Sequence, residues 1–266
     1  MFFYLQLAIS FLVGGIFIAL QTLFAERVPL AWRGIVLTIP STVAIGLFFI
    51  GLTKTPADVV SAAQTIPAAL APTYTFVMTF AMLVNHGIWF AMPAAFLMWG
   101  LFAFVILEFP PAGLATSVFL FSLPAIVLAY LIIRKLPQVH TLKKFPLNAK
   151  HIAGRSLLGG TIIVLATVFA KTLGNTWGAL LSAFPAVFSS TFIIFYNLHG
   201  KEVIPAAAKS LFFPGAIGLI IYAIVAAFTF PSCGIWIGTL LAYLGSLSFA
   251  VVYYLIKDID VETLPS

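Results

Sequence analysis

Two segments of this chain place amide, ammonium and hydroxyl groups beside prolines at the start of an apolar run. TPADVVSAAQTIPAALAPTY contains Gln64 and Thr65, and GKEVIPAAAKSLFFPG contains Lys209 and Ser210. Proline removes a backbone donor and weakens a helix, so polar groups beside it can meet a solute where the helix enters a membrane. The two segments predict a pair of interrupted helices that form the polar entrances of a pathway.

A second pair of prolines, Pro40 and Pro185, lies inside other apolar runs and is followed by hydroxyl residues. These hydroxyls either satisfy the carbonyl groups that the prolines free or line the route of a solute, and both alternatives stay open. The candidate substrate-binding residues are therefore Lys209, Gln64, Thr65, Ser210, Pro40, Pro185, Ser189 and Ser190.

Lys209 has two alternative roles. An unpaired lysine near the bilayer centre costs at least about 2.5 to 3.5 kcal/mol and would need a partner or a water-filled cavity. Residues 211–230 can span the membrane without it, however, and Lys209 would then extend its ammonium group to the cytoplasmic interface.

The carboxylates limit the type of solute. Glu26, Asp58, Glu108 and Glu202 all fall at predicted helix ends, and none lies in the middle of a span. Proton-coupled export of cations usually needs a membrane-embedded carboxylate, so a neutral, anionic or amphipathic solute, or a lipid, is favoured.

Enzymatic chemistry is not expected from this sequence. There is no H-E-x-x-H motif, the four histidines fall in predicted loops, and Cys233 is the single cysteine. We therefore predict no metal site, no cofactor and no catalytic residue. The net charge of +6 comes mostly from one connector without nucleic-acid-binding motifs, so no nucleic-acid partner is predicted.

The composition is that of a membrane protein, with 62% hydrophobic and 8% charged residues and a mean hydropathy of +1.16. Thr55, Pro56 and Asp58 have the residue types of a helix start. Apolar runs of about 20 residues predict an all-α polytopic protein with nine transmembrane helices. The predicted spans are 2–24, 33–53, 57–84, 88–108, 113–134, 155–173, 177–197, 202–229 and 234–256.

The chain contains an internal duplication. GGIFIALQTLFAERVPLAW (14–32) aligns without gaps on GGTIIVLATVFAKTLGNTW (159–177), an offset of 145 that also pairs Pro40 with Pro185. GIWFAMPAAFLMWGLFAFV (87–105) aligns on 234–252 at an offset of 147. The predicted organisation is a four-helix repeat (1–110), a linking helix with a basic connector (111–154) and a second four-helix repeat (155–266).

The single linking helix predicts that the second repeat is inverted relative to the first, a 4+1+4 arrangement typical of secondary transporters. Lys and Arg collect in cytoplasmic loops, which predicts that the N-terminus lies outside and the C-terminus inside. The predicted location is a prokaryotic inner membrane. The predicted inner residues are Arg27, Arg33, Arg134, Lys135, Lys143, Lys144, Lys150, Arg155, Lys201 and Lys257, against Lys54 and Lys171 outside.

The second repeat, 155–257, resembles the GlpM-like family of small four-helix membrane proteins. The resemblance rests on GALLSAFPAVFSSTFIIFYNLHGKE (178–202), with Phe-Pro inside one helix and His-Gly-Lys-Glu before the next. It implies a four-helix unit able to pair in opposite orientations. The predicted arrangement of two such units joined by one linking helix also resembles, in outline, that of drug/metabolite transporters.

The sequence therefore predicts a secondary transporter or permease whose partners are membrane lipid and a small-molecule solute. The alternative is a lipid-handling or scaffold membrane protein without solute transport.

Overall fold

The structure of this protein is a computed structural model that describes residues 2–27, 36, 39–136 and 149–262, with the backbone alone for 25, 26, 210 and 257–262. Every element within these ranges is helical. Seven helical segments there have at least 18 residues and enough apolar character to cross a membrane. Large apolar side chains such as Phe119 and Trp236 remain exposed on their outer faces. A lipid environment explains this surface, which indicates an integral membrane protein.

The helices, in chain order, are α1 Phe2–Arg27, α2 Thr42–Thr53, α3 Pro56–Leu83, α4 Ile88–Glu108, α5 Leu114–Ile133, α6 Ala149–Thr172, α7 Asn175–Ser182 and α8 Ala186–His199. The last segment, Ile204–Glu262, contains the non-helical residue Gly234 at a φ of 73°, which divides it into α9 (204–233) and α10 (235–262). A positive φ is readily adopted only by glycine, so Gly234 permits this short junction.

The predicted start of α3 is confirmed. Thr55 caps the helix, Pro56 is its first residue, and the Thr55 and Asp58 side chains each bond the other residue's backbone N–H in a capping box. The predicted span 155–173 was too short, because α6 begins at Ala149. The predicted end of the last span at 256 agrees with the end of the apolar segment at Ile256, although the helix itself continues to Glu262.

The prediction of which helices are interrupted was wrong. α3 is helical through Pro67 and Pro72, and α9 is helical through Pro205 and Pro214. The predicted continuous span 177–197 is instead divided into α7 and α8 at residues 183–185. The predicted span 33–53 becomes α2 only from Thr42, and most of its earlier residues lie outside the described part.

Hydroxyl groups explain how α3 accommodates its prolines. The Ala68 N–H donates to Ser117 Oγ at 2.8 Å, and Ser117 Oγ donates to the Thr65 carbonyl at 3.4 Å. Thr75 Oγ1 donates to the Pro72 carbonyl at 2.7 Å. Ser117 begins a π-helical turn, Ser117–Ser122, in α5. A neighbouring helix thus satisfies backbone groups near Pro67 that could otherwise end the helix.

Helices α1 and α6 pack closely along glycines and run in opposite directions. A Cβ atom on Gly159 would overlap Ile18, and one on Gly14 would overlap Ile163. The residue number rises along one helix as it falls along the other, which is the pattern of an antiparallel pair. Small residues permit such close approach of helices in membranes.

The centre of the bundle is formed by α3 and α9. In the most apolar window of the span containing α3, 83% of the residues are buried, compared with 22% for α4. Tyr74 of α3 packs its ring against Phe212 of α9 with centroids 5.4 Å apart, and its hydroxyl donates to the Ala216 carbonyl at 3.3 Å. These two helices therefore lie against each other in the buried interior of the bundle.

Candidate functional site

The breaks before α2 and between α7 and α8 meet around one cavity of about 60 Å³, which we call the proline cavity. Pro40 and Pro185, two predicted site residues, both line it, and α3 and α9 complete its wall. The lining residues are Ile39, Pro40, Ser41, Thr42, Val43, Leu70, Thr73, Ala183, Phe184, Pro185, Val187, Phe188, Thr191, Leu211, Gly215 and Leu219.

The break between α7 and α8 is stabilised from α3. The Ala183 N–H donates to the Ala179 carbonyl at 2.9 Å, at the end of α7. Pro185 has no N–H to continue the helix, and the Ala183 carbonyl instead accepts a hydrogen bond from the buried Thr73 hydroxyl. Thr73 thus occupies the acceptor that the break would leave without a partner.

The break before α2 is stabilised from α1 by Gln21. Its Nε2 donates to the Val36 carbonyl at 2.8 Å and to the Ile39 carbonyl at 3.0 Å. Gln21 is 9% exposed, so its amide is held away from lipid and solvent. Gln21 was not among the predicted site residues, although a lone amide within the apolar α1 could have indicated a buried partner.

The first turns of α2 and α8 both contribute residues to the lining of this cavity. The first N–H groups of a helix have no acceptor within it. In α2 the Ile45 N–H is the first to donate, to the Ser41 carbonyl at 3.0 Å, and in α8 the Ser189 N–H donates to the Pro185 carbonyl at 2.8 Å. Four residues that precede these two donors line the cavity, namely Thr42, Val43, Val187 and Phe188. The N–H of Ala186, the first residue of α8, instead donates to the Phe184 carbonyl at 2.7 Å.

Hydroxyl groups divide between the cavity and the helix backbone. Ser189 Oγ donates to the Ala186 carbonyl at 3.1 Å, and Ser190 Oγ donates to the same carbonyl at 2.7 Å. Neither predicted residue is in the cavity lining, whereas Thr191 is. Thr191 is 2% exposed, and no hydrogen bond joins its hydroxyl to any other described residue. Ser41 likewise makes no side-chain cap on α2.

Gln64 lines a separate pocket of about 410 Å³, the Gln64 pocket, with Pro56, Ala57, Val60, Ser61 and Pro231. Thr65, the next residue in the chain, is buried, and its hydroxyl donates to the Ser61 carbonyl at 2.9 Å. The predicted pair therefore divides, with Gln64 in a pocket and Thr65 bonded to its own helix.

Lys209 lines a third pocket of about 560 Å³, the Lys209 pocket, with Tyr130, Ile133, Arg134, Phe212, Phe213 and Tyr253. Its Nζ donates to the Leu136 carbonyl at 2.6 Å, just beyond the end of α5. A cation is stabilised at a helix C-terminus because the carbonyl groups there carry partial negative charge. The side chain of Ser210 lies outside the described atoms.

A polar network, which we call the Lys54 network, joins the start of α3 to the connection between α6 and α7. Lys54 Nζ donates to the Ala170 carbonyl and to Asn175 Oδ1, each at 2.9 Å. Asn175 Nδ2 donates to Asp58 Oδ1 at 3.0 Å, and Lys54 lies 3.7 Å from the same carboxylate. The network therefore links two parts of the chain that lie far apart in sequence.

No group of three or more His, Cys, Asp or Glu side chains that could hold a metal ion occurs among the described residues. No protein-family model, curated protein or solved structure matches this chain.

Proposed function

We propose that this protein is a secondary transporter or permease for a small solute, built from two inverted four-helix repeats joined by one linking helix. The observation that carries the proposal is the composition of the proline cavity. Its lining contains five pairs of residues separated by the repeat offset of 145: Ile39 and Phe184, Pro40 and Pro185, Thr42 and Val187, Val43 and Phe188, and Leu70 and Gly215. A site at the interface of inverted repeats is a common plan of secondary transporters.

The packing of α1 on α6 supports the inversion. The contact of Gly14 with Ile163 becomes the contact of Gly159 with Ile18 when each residue is replaced by its repeat equivalent. A contact in which the same two residue positions meet in both directions is called isologous, and it implies that a two-fold axis relates the two helices. Because the two helices are antiparallel, the axis of that relation lies across them, in the plane of the proposed membrane.

The positions of the two larger pockets support a pathway. Gln64 on α3 and Lys209 on α9 are repeat equivalents, and each lies about 9 Å along its helix from Leu70 or Gly215 in the proline cavity. With the N-terminus outside and the C-terminus inside a prokaryotic inner membrane, the Gln64 pocket opens outward and the Lys209 pocket inward. We also propose that residues 155–257 are related to the GlpM-like family of small four-helix membrane proteins.

A second candidate function is lipid handling. The Lys209 pocket combines an ammonium group, the Arg134 guanidinium and aromatic rings at the end of a membrane-spanning segment. Such a pocket could bind an anionic lipid headgroup at the membrane surface. Under this alternative the proline cavity would be a packing feature without transported solute.

Flux into liposomes tests the transporter proposal. Purified protein should give saturable uptake of a solute from a panel of small anions, neutral solutes and amphiphiles. We expect Gln64→Ala and Lys209→Ala to slow uptake severalfold, since each removes the polar group of one entrance. Gln6→Ala and Lys135→Ala serve as matched controls. Absence of flux for the whole panel together with co-purified anionic lipid would favour lipid handling, and normal flux in both pocket variants would exclude the two residues from the mechanism.

Cysteine labelling tests the orientation of the two entrances. In a Cys233→Ser background, a membrane-impermeant maleimide should modify Gln64→Cys in intact cells and Lys209→Cys in inverted vesicles. The expected result follows because the two residues lie on equivalent helices of opposite orientation. Modification of both residues from the same side would contradict the inverted arrangement.

The Lys54 network is expected to hold the outer side closed. Asn175→Ala removes one hydrogen bond to Lys54 and one to Asp58, so opening on this side becomes easier. We expect Thr191→Cys, in the Cys233→Ser background, to react severalfold faster with a small impermeant reagent added outside. Asn197→Ala changes an exposed asparagine and serves as the control. An unchanged rate in Asn175→Ala would mean that the network has no role in opening.

A further inference from the structure

We infer that the proline cavity binds a small monovalent inorganic anion, of halide or nitrate size, between the first turns of α2 and α8. The inference rests on the proposed function, because it names the class of solute for that cavity. The groups expected to meet the anion are the backbone N–H groups of these two turns and the hydroxyls of Ser41 and Thr191.

The first argument is the balance of donors and acceptors at the two helix breaks. The carbonyl groups of Val36, Ile39 and Ala183 already accept hydrogen bonds from Gln21 and Thr73. The Ala186 N–H donates to the Phe184 carbonyl at 2.7 Å, whereas the N–H groups of Val43, Val187 and Phe188 have no acceptor in their own helices. The freed carbonyl groups therefore have protein donors, while N–H donors remain on residues that line the cavity. This balance favours an anion over a cation.

Thr191 provides a donor that does not depend on the helix ends. It is buried to 2% exposure, lines the cavity and has no hydrogen-bond partner for its hydroxyl among the described residues. The cavity is an opening beside this residue from which its hydroxyl could find a partner, since the residue is buried from solvent. A ligand in the cavity that accepts a hydrogen bond from Thr191 would be stabilised by it.

The charge of the site favours a monovalent ion. A helix N-terminus carries about half a positive charge, so two of them beside one cavity balance about one negative charge. The described lining contains no Lys, Arg, Asp or Glu. A divalent anion would keep about one negative charge without a compensating group there. Its stronger hydration would also oppose its entry into the cavity.

The size of the cavity favours an inorganic ion. The volume of about 60 Å³ is small for an organic molecule, since pockets for drug-sized ligands have roughly 300 to 1,000 Å³. Most of its lining is apolar, including Pro40 and Pro185, so the ion would have to lose most of its water. Halides and nitrate are more easily dehydrated than sulfate.

The inference is tested by thermal unfolding of the purified protein in detergent, with sodium chloride, bromide or nitrate replaced by sodium gluconate or sulfate at constant ionic strength. A ligand that binds only the folded protein raises the unfolding temperature with a saturating dependence on its concentration. We expect this saturating rise for the small monovalent anions, whereas gluconate and sulfate should change the unfolding temperature only without saturation, as a general salt effect. The same rise with all five salts would overturn the inference, because it would report a general salt effect.

Thr191→Val tests the residue assignment. Valine has nearly the same shape without the hydroxyl, and we expect the half-saturating anion concentration to increase about tenfold. Thr167→Val is the matched control, because Thr167 is equally buried but its hydroxyl donates to the Ile163 carbonyl at 2.9 Å, outside the cavity. Ser41→Ala provides a second variant if Thr191→Val does not fold. An unchanged half-saturating concentration in a folded Thr191→Val or Ser41→Ala variant would overturn the assignment of that hydroxyl.

The outcomes separate this inference from the transporter proposal. Saturable anion binding without flux of any solute would support the anion site and overturn transport. Saturable flux of an organic or neutral solute without an anion-dependent rise in unfolding temperature would support transport and overturn the anion site.

Discussion

Alanine at position 160 is expected to lower the thermal stability of the protein markedly. A Cβ atom there would lie 2.7 Å from the Phe11 carbonyl oxygen of α1, and backbone atoms cannot move aside as a flexible side chain can. The helices must separate, and overpacking of this kind typically costs about 1 to 3 kcal/mol. The measurement is the unfolding temperature in detergent, with the monodisperse fraction as a second readout.

Position 154 of the same helix provides the control. A Cβ atom on Gly154 has no neighbour within 4 Å, so Gly154→Ala gains helix propensity without a clash. It should be neutral or stabilising, by up to about 1 kcal/mol. Equal destabilisation by Gly154→Ala and Gly160→Ala would mean that the α1 and α6 contact is not the cause. Gly15→Ala, the repeat equivalent of Gly160→Ala, should have a smaller effect because its nearest atom, the Ser156 carbonyl oxygen, is at 3.2 Å.

Gln21→Leu is expected to destabilise the protein and to disturb the start of α2. The substitution removes both hydrogen bonds to the carbonyl groups of Val36 and Ile39 in a buried position. Each buried acceptor left without a partner costs about 1 to 3 kcal/mol. Leucine has a similar size, so the loss reports hydrogen bonding more than packing. The unfolding temperature gives the loss, and the anion dependence of that temperature shows whether the cavity has changed shape.

Gln6→Leu is the matched control for Gln21→Leu, since it changes the same residue type on the same helix. Gln6 Nε2 makes a single hydrogen bond, at 3.1 Å to the Leu52 carbonyl, in an exposed position. Water or lipid headgroups can replace such a bond, so the effect should be small. If both variants lose the same stability, the role assigned to Gln21 is wrong.

The Lys54 network and the Lys209 contact were outside the reach of sequence analysis. Asn175 and Lys54 are separated by more than a hundred residues, and nothing in their local sequence indicates that they meet. Lys209 was left with two roles, and its observed partner is the Leu136 carbonyl rather than a carboxylate. Only the arrangement of the helices brings these groups within hydrogen-bonding distance.

The amino-acid sequence by itself determined the properties that depend on composition and local pattern. Apolar runs predicted a helical membrane protein, the Thr55 and Asp58 pair predicted the start of α3, and the repeat offset predicted that Pro40 and Pro185 are equivalent. These features follow from hydrophobicity, capping and self-similarity, which act over a few residues or are visible by alignment.

The tertiary structure alone decided which prolines interrupt a helix. The sequence favoured Pro67, Pro72, Pro205 and Pro214, yet the breaks occur at Pro40 and Pro185. A proline fixes only the local loss of a hydrogen-bond donor. Whether the helix continues depends on partners from elsewhere in the fold, such as Ser117 beside α3, whereas Gln21 and Thr73 stabilise the broken ends. Those partners come from other helices, so they are fixed only when the helices pack.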